Sequence, residues 1–574
     1  MRGRNARSNR GWMAALLLLF AGGGLLAAQK RAGAPPAEPF DIVITHGHII
    51  DGTGSPWYSG DIGIRGGHIA AIGVLQGAPR RQTIDAHGMV VAPGFIDMLG
   101  QSELTMLVDP RLPSKIYQGI TTEITGEGDS VAPLNARMIA ADHAQYEHLK
   151  ITPDWTTFRQ YYARIERRGM GINLASYVGA TSVRRMVLGD ADVQPTPAQL
   201  TQMRALVREA MRDGAIGLST ALQYAPAPYA KTDELIALAQ SAASYGGIYA
   251  THMRSEGDTE PQAIDEAVRI GREAHIPVEI WHLKAAGVRN FGKMPQIVAQ
   301  IDSARASGVD IGANTYAYTA WFNDFSAFIP PWAHDGGEAA LIRRLKDPAT
   351  RARIRADMLN PNGDWDNEWQ EIPGPQAVEI AVVENPELRK YQGKRLSEIA
   401  AEWHEDPIDA LCDFLIKDNA FTSVAVFAMS EPDVELALKQ PWVSIDNDSQ
   451  GTSPEGLLGE EHPHPRAYGT FPRILRKYVR EEHVLTLPDA IRKFSALPAQ
   501  RMRLTDRGVL KKGMWADVVV FDPATIRDVA TYEEPNQLSQ GMEYVLVNGV
   551  AVIADGKMTG ALPGKVLRGP GYVP

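Results

Sequence analysis

Residues 246–282 read GGIYATHMRSEGDTEPQAIDEAVRIGREAHIPVEIWH, and their pattern decides the fold. Two short apolar runs, 246–252 and 276–282, each end on a histidine, His252 and His282. Between them lies one amphipathic segment, 261–275, with apolar residues at helical spacing. A strand, one crossing helix and a second strand in so short a span put the two strands side by side and parallel. The right-handed crossover is the connection that packs the helix back onto the sheet. Both imidazoles then stand at the same carboxyl-end rim.

Working outward, the same alternation repeats. Strand-like runs occur at FID (95–97), GITTEIT (119–125), INLASYVG (172–179), AIGLSTAL (215–222), GVDIGANTYAY (308–318), TSVAVFAM (422–429) and WVSID (442–446). Helix-like segments separate them. Strand then helix, repeated about eight times, predicts an α/β fold of the (β/α)8 TIM-like barrel type, whose chemistry sits at the carboxyl-end rim. These runs and the two histidine-ended ones give nine candidates for eight places, so one is misassigned or belongs to an insertion. The loop-rich stretch 323–403 is the expected insertion. Short glycine-broken alternating runs occupy both ends, DIVITHGHIIDGTG (41–54) at one and GVLKKGMWADVVVFDP (508–523) at the other. They predict a small β-sandwich assembled from residues 41–92 and 499–574, flanking a barrel over 93–498.

The chain has 574 residues, enough for a large catalytic domain and a smaller one. Its net charge of −10 carries no long Lys/Arg run, which argues against nucleic acid or an anionic membrane as partner and leaves a small-molecule or peptide substrate. Cys412 is the one cysteine, so no intramolecular disulfide forms. Residues 1–28 combine a basic start (Arg2, Arg4, Arg7, Arg10), an apolar stretch and Ala27-Ala28, the pattern of a secretory signal peptide. The expectation is an exported, periplasmic or secreted protein with a flexible lead-in over 29–40 and no membrane attachment after cleavage.

A lone histidine at a strand end is more often structural, but two neighbouring ones projecting into one mouth favour zinc with an open coordination position. Asp446 closes WVSID and would face the same mouth. A carboxylate there can take a proton from water and return it to a leaving nitrogen. It would serve equally as a cap for the following loop, and Asp448 is a rival. Lys284 follows His282 at strand spacing, Arg254 follows His252, and Arg466 lies in HPHPRAYGTFPR. Converging on one pocket, the three would suit a substrate carboxylate. His462 and His464 mimic a ligand pair but sit in a proline-rich loop, which favours a structural role.

These motifs are similar to those of a known family. GHIIDGTG, VVAPGFID, QGITT, AIGLSTALQY, ATHMRSEGD, HLKAAG, HPRAYGTFPRILRKYVRE, RGVLKKGMWADVVVFDP and VLRGPG occur in order between residues 41 and 571. Together they resemble the N-acyl-D-amino-acid deacylases of the amidohydrolase superfamily. The resemblance implies a barrel flanked by a β-sandwich and a zinc-dependent amide hydrolysis. It places metal on His252 and His282, the general base on Asp446, and recognition of the substrate carboxylate on Lys284, Arg466 and Tyr316.

The departures matter as much. Where the family usually has D-x-H-x-H, this chain has Asp97-Met98-Leu99-Gly100-Gln101, and where it has glycine-asparagine-cysteine, Gly126-Glu127-Gly128 stands. Two metal histidines and a bridging cysteine are absent. The expectation is therefore one zinc per chain, with Glu127 as third ligand, Asp129 and Glu123 as weaker alternatives, and Gln101 and Glu103 filling the vacated space. Trp321 and Phe322 predict a more aromatic pocket. The functions implied are hydrolysis of N-acyl-D-amino acids or D-residue dipeptides, a hydrolase of another amide, cyclic amide or lactone, or an inactive binding protein on the same fold.

Overall fold

The computed structural model describes residues 38–574, so the signal peptide read in 1–28 and most of the lead-in lie outside the described residues. Eight strands form the barrel: β1 (Phe95–Asp97), β2 (Ile120–Thr125), β3 (Asn173–Ser176, continued by Val178–Gly179), β4 (Gly217–Ala221), β5 (Ile248–His252), β6 (Val278–Ile280), β7 (Ile311–Thr315) and β8 (Val443–Ile445). Each pairs in parallel with the next. The ring closes where Met98 N–H donates to the Ile445 carbonyl at 3.3 Å.

Both faces of such a sheet are covered, which is why β2, β4 and β5 are buried at every position. The crossover helix Glu260–Ala274 shows how the outer layer docks. It buries Ala263, Ile264, Ala267, Val268, Ile270 and Gly271 on one face. Gly271 lets it approach β6 closely, since a Cβ there would lie 2.5 Å from a Val278 methyl. Among the described residues, no helix is long and apolar enough to cross a membrane.

The ninth strand-like run is not a barrel strand. Ser423–Val426 is the middle of a separate three-stranded antiparallel sheet, between Trp321–Asp324 and Val378–Ile380. The insertion between β7 and β8 thus runs past the predicted 403, to at least Val426. Its amphipathic helix Pro407–Lys417 followed by a strand is locally indistinguishable from a barrel repeat. Only the pairing partner tells them apart. Cys412 is buried in that helix.

Both ends of the chain build one nine-stranded sheet. The junction is the antiparallel pair Val90–Pro93 with Val518–Phe521, and a core of Ile42, Ile44, Ile62, Val91, Val518 and Leu546 lies beneath it. Only Gly94 separates this sheet from β1. The C-terminal tail then straps β3, with Leu174 N–H donating to the Lys565 carbonyl at 3.0 Å and Leu567 N–H to the Leu174 carbonyl at 2.7 Å.

Candidate metal centre

His252 is the last residue of β5, His282 lies two residues beyond β6, and Glu127 two beyond β2. Barrel closure brings the three together: Glu127 Oε1 lies 3.1 Å from His252 Nδ1 and 3.1 Å from His282 Nε2. One ligand atom from each falls within 4.8 Å of the others. Zinc bonds of about 2.0–2.1 Å in a tetrahedron separate ligand atoms by about 3.3 Å, so this donor set fits a zinc-sized ion. His282 takes a left-handed backbone, φ 36°, uncommon for a side-chain-bearing residue. The Asn314 carbonyl oxygen, accepting its N–H at 2.8 Å, helps hold that conformation.

The ring nitrogens pointing away from Glu127 are also engaged. Glu256 Oε1 lies 2.7 Å from His282 Nδ1, and Glu256 Oε2 lies 2.6 Å from Lys284 Nζ. Lys284 Nζ also stands 2.8 Å from Nδ1, so Glu256 and Lys284 together hold the His282 ring with Nε2 turned toward Glu127. Burial pushes the Glu256 carboxyl up, but the Lys284 ammonium and the two imidazoles outweigh it and hold it below the usual carboxylate range. His252 Nε2 contacts Gln223 Oε1 at 2.8 Å.

Asp446, directly after β8, is fully buried, and among the described residues neither carboxylate oxygen has a hydrogen-bond partner. Burial, and then the charge of Asp448, push its carboxyl well above the usual range. An unpartnered buried carboxylate is costly, and such groups concentrate where chemistry is done. Asp448, at φ 46°, is instead paired: Arg466 lies 2.8 Å away. The Arg466 guanidinium stacks on Tyr316 at 4.7 Å and on Phe322 at 5.7 Å. Arg466 Nε has no hydrogen-bond partner among the described residues, and the Tyr316 hydroxyl meets only the Met429 sulfur, at 3.7 Å.

Arg254 does not join this group. Its guanidinium binds Glu266 at 2.9 and 3.0 Å and the Pro228 and Ala230 carbonyls at 3.0 Å. Residue 254 has the same offset from its strand as His282 and Glu127, but these four contacts hold its guanidinium away from the ligand cluster. Lys284 is beside the centre but is engaged by Glu256 rather than free for a carboxylate. Asp129 is held by Ser182 at 2.9 Å, and Glu123 by the Ser102 hydroxyl at 2.7 Å and Lys115 at 3.3 Å. Neither joins the cluster. Gln101 occupies vacated space as a donor, its amide 2.6 Å from Glu127 Oε2 and 3.4 Å from Asp448 Oδ1. Glu103 is buried outside the cluster, its carboxyl pushed up by burial to about 7. His462 binds the Tyr532 carbonyl at 2.7 Å and His464 the Ala320 carbonyl at 3.2 Å.

Sequence reasoning missed Gln223, Glu256 and Lys115. Gln223 lies two residues beyond β4, a rim position that strand-end counting reaches. Glu256 sits inside the motif ATHMRSEGD. Lys115 reads as an ordinary helix lysine yet is wholly buried. Its ammonium binds Asp97 at 2.8 Å, Asn447 at 2.9 Å and the Ser449 carbonyl at 2.6 Å. It therefore clamps the loop carrying Asp446 and Asp448 to β1.

A barrel with two strand-end histidines, a rim carboxylate and a buried aspartate is the arrangement of a metal-dependent hydrolase. The chain belongs to the amidohydrolase family, whose model matches residues 82–360 and 456–553, and within it to the N-acyl-D-amino-acid deacylases. It is 35% identical over 535 residues to N-acyl-D-glutamate deacylase of Alcaligenes xylosoxydans xylosoxydans, covering 92% of this chain and 97% of that one. Among solved structures it is similar to N-acyl-D-glutamate deacylase from Bordetella bronchiseptica, complexed with zinc and a phosphonate mimic of the tetrahedral intermediate. That likeness has 34% identity and a TM-score of 0.77, and covers 92% of this chain and 100% of that one. A D-aminoacylase described by a binuclear metal center, with one-metal activation and second-metal attenuation, gives 33% identity and a TM-score of 0.76 over the same shares.

Proposed function

We propose that the chain hydrolyses the amide bond of N-acyl-D-amino acids, or of dipeptides containing a D-residue, with one zinc ion per chain held by Glu127, His252 and His282. The observation that carries this reading is the ligand cluster lying on the same strand-end rim as Asp446, whose buried oxygens lack partners. The deacylase relatives support the substrate class. A single ion is supported by Leu99, which is apolar and buried, and by Gln101, whose amide is spent on Glu127. The other carboxylate cluster among the described residues, Glu431, Glu435 and Glu482, is bridged by Lys477, 2.6 Å from Glu431.

When bound, zinc polarises an acyl carbonyl and makes water nucleophilic at neutral pH. Asp446 accepts the water proton on a carboxylate oxygen and delivers it to the departing amine nitrogen. Arg466 and the Tyr316 hydroxyl bind the substrate carboxylate with the donors they hold spare. Arg466→Lys keeps the charge but loses the planar fork, so KM for a carboxylate-bearing substrate is expected to rise about tenfold or more, with kcat less affected. Steady-state kinetics check this. The leader read in residues 1–28 supports action outside the cytoplasm, on peptides and acylated amino acids met there.

Elemental analysis and a substrate panel test the proposal together. About one zinc per chain is expected, with D-configured N-acyl-amino acids turned over about 100-fold faster than their L-forms, a preference of roughly 3 kcal/mol in transition-state binding. Zinc-bound protein that prefers L-substrates, or opens only lactones or cyclic amides, would defeat the substrate assignment.

A further inference from the structure

We propose that the segment inserted between β7 and β8 tunes the barrel's metal affinity through a relay from Glu368 to Gln223 to His252. The inference rests on the one-ion reading above and concerns how its ligand is held. Glu368 opens the short inserted helix Glu368–Glu371 and is 1% exposed. Its Oε1 accepts a hydrogen bond from Gln223 Nε2 at 2.7 Å and a second, shorter one from Asn323 Nδ2, on the inserted strand Trp321–Asp324. These contacts set the Gln223 amide with its nitrogen toward the insertion and its carbonyl oxygen toward the barrel. That oxygen faces His252 Nε2 at 2.8 Å.

An amide oxygen there selects the tautomer that carries its proton on Nε2, so Nδ1 keeps its lone pair, and Nδ1 is the nitrogen 3.1 Å from Glu127 Oε1. The nearest rival acceptor for Nε2, Glu256 Oε2, stands 4.0 Å away, beyond hydrogen-bond reach. Reversing the amide would present N–H to Nε2 and move the ring proton onto Nδ1, which then cannot ligate. Glu368 and Gln223 are thus positioning residues for His252. The inserted segment, which contributes no ligand, is in this way coupled to the ion.

Zinc affinity measured by competition with a chromophoric chelator tests the relay, with the visible spectrum of the cobalt-loaded protein as a second readout. Gln223→Leu is expected to raise the zinc Kd about 10–100-fold, the usual consequence of losing such a partner. Glu368→Leu should raise it about tenfold, toward the lower end of that range, and alter the cobalt spectrum. Glu368→Gln keeps an acceptor oxygen and should stay within about twofold of wild type. The Gln223→Leu/Glu368→Leu double variant should match Gln223→Leu alone, because the relay is already cut. A folded Glu368→Leu protein with wild-type zinc affinity, or additive effects in the double variant, would overturn the relay while leaving the one-ion reading intact. Wild-type protein that takes up no zinc would sink that reading, and the relay with it.

Discussion

Replacing His252 and His282 together with alanine is expected to strip the ion and to lower kcat/KM by about 10³-fold or more. That corresponds to the several kcal/mol of transition-state stabilisation a catalytic metal supplies. A single carboxylate, Glu127, is left, too few ligands to retain zinc against dilution. The loss would be read by elemental analysis of dialysed protein beside steady-state kinetics. Both rings are buried, so circular dichroism and a melting curve must accompany them to show that the variant still folds. Folded double variant that keeps its zinc would place the ion elsewhere and remove the basis for the proposed chemistry.

Asp446→Asn should separate binding from catalysis. The variant is expected to hold zinc as the wild type does while kcat falls by about 10²–10⁴-fold, the range over which a positioned base contributes. Stability gives a second, independent reading. In metal-stripped protein the carboxyl of Asp446 holds its proton more tightly folded than unfolded, since burial and Asp448 both oppose ionisation. The folded state then binds more protons than the unfolded state between the two pKa values, so stability falls as pH rises from the ordinary aspartate range upward. Asparagine removes that fall. The melting temperature of the stripped variant should therefore decline less between acid and neutral pH than that of stripped wild type. A variant with undiminished kcat would return Asp446 to the role of a loop cap.

The barrel was legible because its signal is periodic and repeated, and because strand, helix and strand in 246–282 admit one handedness. What local pattern cannot express is the identity of a pairing partner. Ser423–Val426 therefore resembles a barrel strand while lying in the insertion's own sheet. The site divides in the same way. His252 ends its strand, Asp446 follows one directly, and His282 and Glu127 each lie two residues past theirs, so topology alone gathers them. Arg254 obeys the same counting, but Glu266 and two backbone carbonyls draw its guanidinium off. Lys115 and Glu368 carry no mark in the sequence, because what makes each one matter is contact with residues more than a hundred positions away.

The seam between Val90–Pro93 and Val518–Phe521 sets a timetable for biogenesis. The first of these strands leaves the ribosome early, and its partner follows only after residues 94–517 have been made. At about 5–20 residues per second that interval is roughly 20–80 s. Through it the edge of Val90–Pro93 stays open, and open strand edges invite pairing with other chains. The neighbouring sheet cannot finish, and the strap that Lys565 and Leu567 lay across β3 is still missing. The seam and the strap therefore form only after residues 518–567 have joined the earlier part of the chain.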